Sequence, residues 1–146
     1  MSVRKDKHAE TACMMKRLAA LAIVLSVTAA IAAPASPAGK WLAEDIDGGG
    51  VIDRLQTTLE IREDGIVTGM GGCNRYTGSA NVGSGTIRFH PMASTRMACS
   101  PAVMNQENKF HTALEKVRAW RIDEQQRKLF LLDDGGFDII RLSRMD

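Results

Sequence analysis

The sequence predicts a mainly β protein, a small antiparallel β-barrel, closed or nearly closed, with one amphipathic α-helix packed on it. Three observations carry this expectation. Beyond residue 40 the apolar residues come in short runs that alternate with polar ones, a period of two. Turn signals rich in glycine and aspartate separate those runs. A single segment instead spaces its apolar residues at helical intervals behind a Ser-Pro start.

Trp41 with Leu42 marks a first short strand. Leu55, Thr57, Leu59 and Ile61 then share one strand face, and Gln56, Thr58, Glu60 and Arg62 the other. Glu63-Asp64-Gly65 reads as a tight turn, and Ile66 to Met70 return as the partner strand. Tyr76, Gly78, Ala80 and Val82 alternate in the same way. Gly83-Ser84-Gly85 supplies the next turn, and Ile87 and Phe89 line a strand that ends at Pro91. Ser100 and Pro101 stand as N-cap and first helical residue. Val103, Phe110, Leu114 and Val117 form the apolar stripe of that helix, with Asn105, Glu107, Lys109 and Lys116 expected toward water. Trp120 with Ile122 begins the last strands. Leu129 to Leu132 and Phe137 to Leu142 flank Asp133-Asp134-Gly135-Gly136 as a third hairpin.

At 146 residues, 45% hydrophobic and 25% charged, the chain fits one globular domain, which excludes a multidomain enzyme and a disordered tail. Met14, Met15, Lys16 and Arg17 precede sixteen uncharged residues, Leu18 to Ala33. That run is shorter than the roughly 20 residues of a membrane-spanning helix. Ala30 and Ala32 form an A-x-A cleavage site. Residues 1–32 are therefore expected to be a signal peptide whose true start is Met14 or Met15, residues 33–39 a linker, and residues 40–146 the domain. No cysteine follows the apolar run to accept a lipid anchor, so a soluble, monomeric, periplasmic or secreted protein that does not span the membrane is expected.

The whole chain carries a net charge of +2, but the leader holds five basic and two acidic residues. The remainder, with fourteen basic and fifteen acidic residues, is close to neutral, so it offers no basic field for nucleic acid. After processing only Cys73 and Cys99 remain. Two cysteines in an exported protein most simply form one disulfide. The alternative is a reactive thiol pair whose pKa Arg75 or Arg96 lowers. The absence of C-x-x-C spacing excludes a thioredoxin-type motif.

The stretch Gly69-Met70-Gly71-Gly72-Cys73-Asn74-Arg75-Tyr76-Thr77-Gly78 is followed by Ala93-Ser94-Thr95-Arg96-Met97-Ala98-Cys99 and by Met104-Asn105-Gln106-Glu107. These elements, from Trp41 to Leu142, resemble the META domain, the HslJ-like family of exported bacterial proteins. The resemblance implies a lipocalin-like barrel in the bacterial envelope and a place in heat-shock or envelope-stress tolerance. It brings no catalytic residue and no cofactor. Some members of the family carry an N-terminal lipid anchor, which this sequence lacks the cysteine to accept.

Other chemistry is weaker. Gly69 to Gly72 lacks the G-K-[ST] of a phosphate loop, and its glycines fit a sharp or bulged turn. Asp45 to Asp53 resembles a calcium loop, but position 12 is Gln56 in place of the bidentate Glu. His90 and His111 have no second ligand at helical spacing for zinc. Met92, Met97 and Met104 near His90 are soft donors of the kind Cu(I) prefers, although core filling is the reading adopted. No hydrolase motif is present, and acid pairs such as Glu63-Asp64 and Asp133-Asp134 fall in turns.

Asn74, Arg75, Thr95 and Arg96 flank the two cysteines, so a disulfide would gather them into one polar patch. Arginine forks there suit a carboxylate, phosphate or glycan-bearing partner. The plainer alternative has the arginines in salt bridges and Asn74 closing a turn. The expected function is non-enzymatic support of envelope stress tolerance through an envelope protein or surface. A small-ligand carrier using the barrel interior is the alternative, and a hollow or a filled barrel discriminates between the two.

Overall fold

The computed structural model describes residues 35–146; the expected signal peptide and the first two residues of the linker lie outside them. The elements are β1 (Gly39–Ile46), β2 (Thr58–Ile61), β3 (Ile66–Met70), β4 (Arg75–Val82), β5 (Ile87–Phe89), β6 (Ala93–Ser94), α1 (Pro101–Lys116), β7 (Ala119–Asp123), β8 (Lys128–Leu132) and β9 (Asp138–Arg144). Eight strands form one antiparallel path in the order β5-β4-β3-β2-β1-β9-β8-β7, and β6 pairs with β4 beside it. The two ends of the path meet. Thr86 bridges Ala119, Ile87 N–H donates to the Arg118 carbonyl at 3.1 Å and Trp120 N–H to the Gly85 carbonyl at 3.1 Å. The Trp120 indole reinforces this seam, with Nε1 donating to the carbonyls of Gly83 and Thr86. The predicted nearly closed barrel with one packed helix is what the chain forms.

Closing so short a sheet requires local bending, which two bulges provide. The β1–β9 register shifts at Glu44 and the β8–β9 register shifts at Ile139. Inward positions follow the predicted period of two: Leu59, Ile61, Val67, Tyr76, Ala80, Ile87, Phe89, Leu129, Leu131 and Leu142 are all buried. They form one cluster with Trp41 and with Phe110, Ala113, Leu114 and Val117 from the helix, so side chains fill the barrel. The helix packs against β1, β5 and β9.

Several boundaries and orientations differ from the sequence expectation. The strand expected from Leu55 begins only at Thr58, because Thr57 spends its carbonyl on Ala43 N–H and its hydroxyl on the Gly71 carbonyl. Val82 is exposed where β4 leaves the barrel. Phe137 stands outside β9 and is 71% exposed, because Asp133 Oδ1 accepts from the amides of Gly135 and Phe137 and holds both in the turn. Ser100 is the N-cap as expected, but its hydroxyl makes no capping bond. Glu107, expected toward water, is 5% exposed, since it shares the stripe of Val103, Phe110 and Leu114.

Candidate functional site

The site starts from the turn between β3 and β4. Gly71 N–H donates to the Asn74 carbonyl at 2.9 Å, and Gly72 takes a φ of +138° that a side chain would strain. The next two amides then point the same way. Cys73 N–H and Asn74 N–H both donate to Glu107 Oε2, at 2.9 and 2.6 Å, while Asn74 Nδ2 donates to Glu107 Oε1 at 2.8 Å. Gly71 makes the approach feasible, because a Cβ there would lie 2.7 Å from Glu107 Cγ.

Burial pushes the Glu107 carboxyl up, but hydrogen bonds from the Asn74 side chain and from the amides of Asn74 and Cys73, helped by nearby His111, outweigh it. The group is held below its ordinary 4.5. It stays ionised with both oxygens occupied, which suits an internal tie and not proton transfer.

The network extends in two directions. Asn74 Oδ1 accepts from Met97 N–H at 2.6 Å and from Thr95 Oγ1 at 2.9 Å, fixing the segment that leads to Cys99. Gln106, next to Glu107, donates through Nε2 to Thr57 Oγ1 at 2.9 Å and accepts from Ile52 N–H at 2.6 Å. The helix therefore fastens both the β1–β2 loop and the β3–β4 turn. Neither Gln106 nor Glu107 was expected to do so, although the spacing from Val103 to Phe110 places both near the buried stripe.

Cys73 and Cys99 are joined, with Sγ atoms 2.00 Å apart across a separation of 26 residues. The bond connects the β3–β4 turn to the residue before the helix cap, so it spans the same junction as Glu107. Loop-closure entropy for that separation is about 3.5 kcal/mol. Urea unfolding with and without a thiol reductant is expected to differ by roughly that amount; coincident curves would show that the bond contributes nothing.

The four expected patch residues do not share one environment. Asn74 is 2% exposed and wholly internal, which corrects its assignment to the surface: its amide is taken up by Glu107, Met97 and Thr95. Arg75, Thr95 and Arg96 are exposed. Thr95 Oγ1 also accepts from Arg75 N–H at 3.2 Å, and Thr95 N–H donates to the Arg75 carbonyl at 3.0 Å. The backbone under both arginines is thus fixed from inside. Among the described residues neither Arg75 nor Arg96 enters a salt bridge. Arg75 borders a groove of about 410 Å³ that Lys40, Thr58, Thr68, Met70 and Tyr76 also line. Gly69, on the wall of the groove, has no side chain, which lets Tyr76 Oη donate to the Thr58 carbonyl at 2.6 Å. In the loop that resembled a calcium site, the Asp45 carboxylate accepts from Gly48 and Gly50 N–H, a turn device.

Comparison with solved structures finds the same fold in distant sequences. A protein from Burkholderia xenovorans solved by NMR is 23% identical, with 80% of this chain and 93% of that one covered and a TM-score of 0.61. A second NMR structure is 20% identical, covering 73% of this chain and 88% of that one, with a TM-score of 0.54. A DUF4847 family protein from Bacteroides vulgatus is 17% identical, covering 75% and 95%, with a TM-score of 0.52. No curated protein matches the chain. The META domain pattern matches residues 35–146, the whole span in which the turn, the disulfide and the helix described above lie, and the chain belongs to the META domain family.

Proposed function

We propose that this chain is a non-enzymatic, exported interaction module that supports envelope stress tolerance by binding an envelope protein or surface through Arg75 and Arg96. The observation that carries the reading is the contrast within one motif. Asn74 and the cysteines are consumed internally, whereas the adjoining arginines are exposed and, among the described residues, free of salt bridges. A guanidinium held on a fixed backbone loses less freedom on meeting a carboxylate or phosphate than one on a mobile loop.

The disulfide pair supports an oxidising compartment, which agrees with the leader-like N-terminal sequence. No helix among the described residues is long and apolar enough to cross a membrane. The filled barrel speaks against a ligand carried inside it.

The test is complementation in a host lacking its own copy, challenged by heat or an envelope-directed antibiotic. An Arg75→Ala/Arg96→Ala protein is expected to be exported, processed and folded, yet to lose most of the protection. Full protection by that variant, or an unprocessed wild-type chain that stays inside the cell, would overturn the reading.

A further inference from the structure

His90, Met92 and His111 line one pocket of about 130 Å³, with Phe89, Leu114 and Glu115 beside them. His111 projects from the helix and stands edge-on to Tyr76, ring centroids 5.1 Å apart. Its Nε2 is buried and, among the described residues, has no hydrogen-bond partner. A buried ring nitrogen left without a partner calls for an explanation, because nearly all such atoms are paired.

Met92 lines the same pocket from the segment after β5 and is half-buried against the core, as its core-filling reading expected. Its Sδ lies over Gly78, where a Cβ would come within 2.3 Å of it. Gly78 is the next position after Tyr76 on the same face of β4, so thioether and imidazole sit over neighbouring positions of one strand.

We infer that His90, Met92 and His111 form a binding site for a soft monovalent cation, Cu(I) in the cell. Imidazole and thioether are neutral ligands that together suit Cu(I). Among the described residues no three His, Cys, Asp or Glu side chains converge, so zinc and harder divalent ions lack a donor set. Cys73 and Cys99 are bonded to each other, which leaves thioethers as the soft donors of the folded domain. Binding is ligation alone, with no change in oxidation state. This site is independent of the arginine face.

The experiment is a titration with Ag(I), a redox-inert stand-in, on a Cys13→Ser chain so that no unpaired thiol competes. Methionine methyl and histidine ring resonances are followed by NMR. The expected result is a one-to-one shift at Met92, His90 and His111. Affinity should fall by at least about tenfold in Met92→Leu and in His90→Ala, each measured on protein whose thermal unfolding transition matches the wild type. A competition titration with Cu(I) under anaerobic conditions should give the same order of variants. Shifts confined to Met97, Met104 or the N-terminal methionines, or equal affinity in the variants, would overturn the site. So would preferential binding of Zn(II).

Discussion

Glu107→Ala is expected to destabilise the protein by about 3–5 kcal/mol, because it strips three buried donors of their acceptor at once. Cys73 and Asn74 are buried, so their amides would be left inside without this acceptor, and the Asn74 side chain would lose the partner that orients it toward Thr95 and Met97. Glu107→Gln keeps the shape and one acceptor oxygen and should cost less. The same group sets part of the acid response. Its folded pKa is lower than its unfolded value, so its contribution is full above about 4.5 and is lost as pH falls through the folded value. His111, also lowered, acts in the same direction, with its contribution full above 6.5 and lost in weaker acid. Chemical denaturation between pH 3 and 7 should show wild-type stability falling in two stages, the lower of which is missing in Glu107→Ala. An unchanged lower stage would mean that other carboxylates dominate it.

Gly69→Ala is expected to cost about 3 kcal/mol or to prevent folding, at the upper end of what overpacking does. The added Cβ would lie 2.1 Å from the Thr58 carbonyl oxygen and 2.5 Å from Tyr76 Oη. Neither can retreat, since each is the other's hydrogen-bond partner and Tyr76 is packed against Phe110 and His111. Burial holds that phenol far above its ordinary 10.0, so it stays protonated and donates at neutral pH. Gly49→Ala is the matched control: its Cβ would meet only the Ile46 carbonyl, at 3.5 Å, on a backbone that needs no positive φ. It should change stability by less than about 1 kcal/mol. Equal thermal shifts in the two variants would remove the steric account of the glycine run.

The features visible in the sequence were those that one strand or one helix decides alone. The alternation from Leu55 to Ile61 assigned the correct faces, and the turns at Glu63-Asp64-Gly65 and Asp133 to Gly136 lie where their residues placed them. The pairing of Cys73 with Cys99 followed from the number of cysteines and the inferred compartment. What escaped depends on contacts between distant segments. Glu107 was sent to the solvent by its charge, although its position on the stripe argued the opposite, because only the turn 34 residues earlier supplies the amides that make its burial tolerable. Asn74 was grouped with the surface arginines because it flanks Cys73, whereas the alternative that had it closing a turn is the one the structure bears out. The bulges at Glu44 and Ile139, the two-residue β6 and the β5–β7 seam have no periodic signature, since each answers to the closure of the barrel.

Within two consecutive residues the motif divides into an internal tie, Asn74, and an outward face, Arg75. Equilibrium urea unfolding of Asn74→Ala, Arg75→Ala and Arg96→Ala separates the two roles. Asn74→Ala should lose about 2–4 kcal/mol, while each arginine variant should stay within about 0.5 kcal/mol of wild type. Arginine variants as unstable as Asn74→Ala, or an Asn74→Ala protein as stable as wild type, would contradict the division.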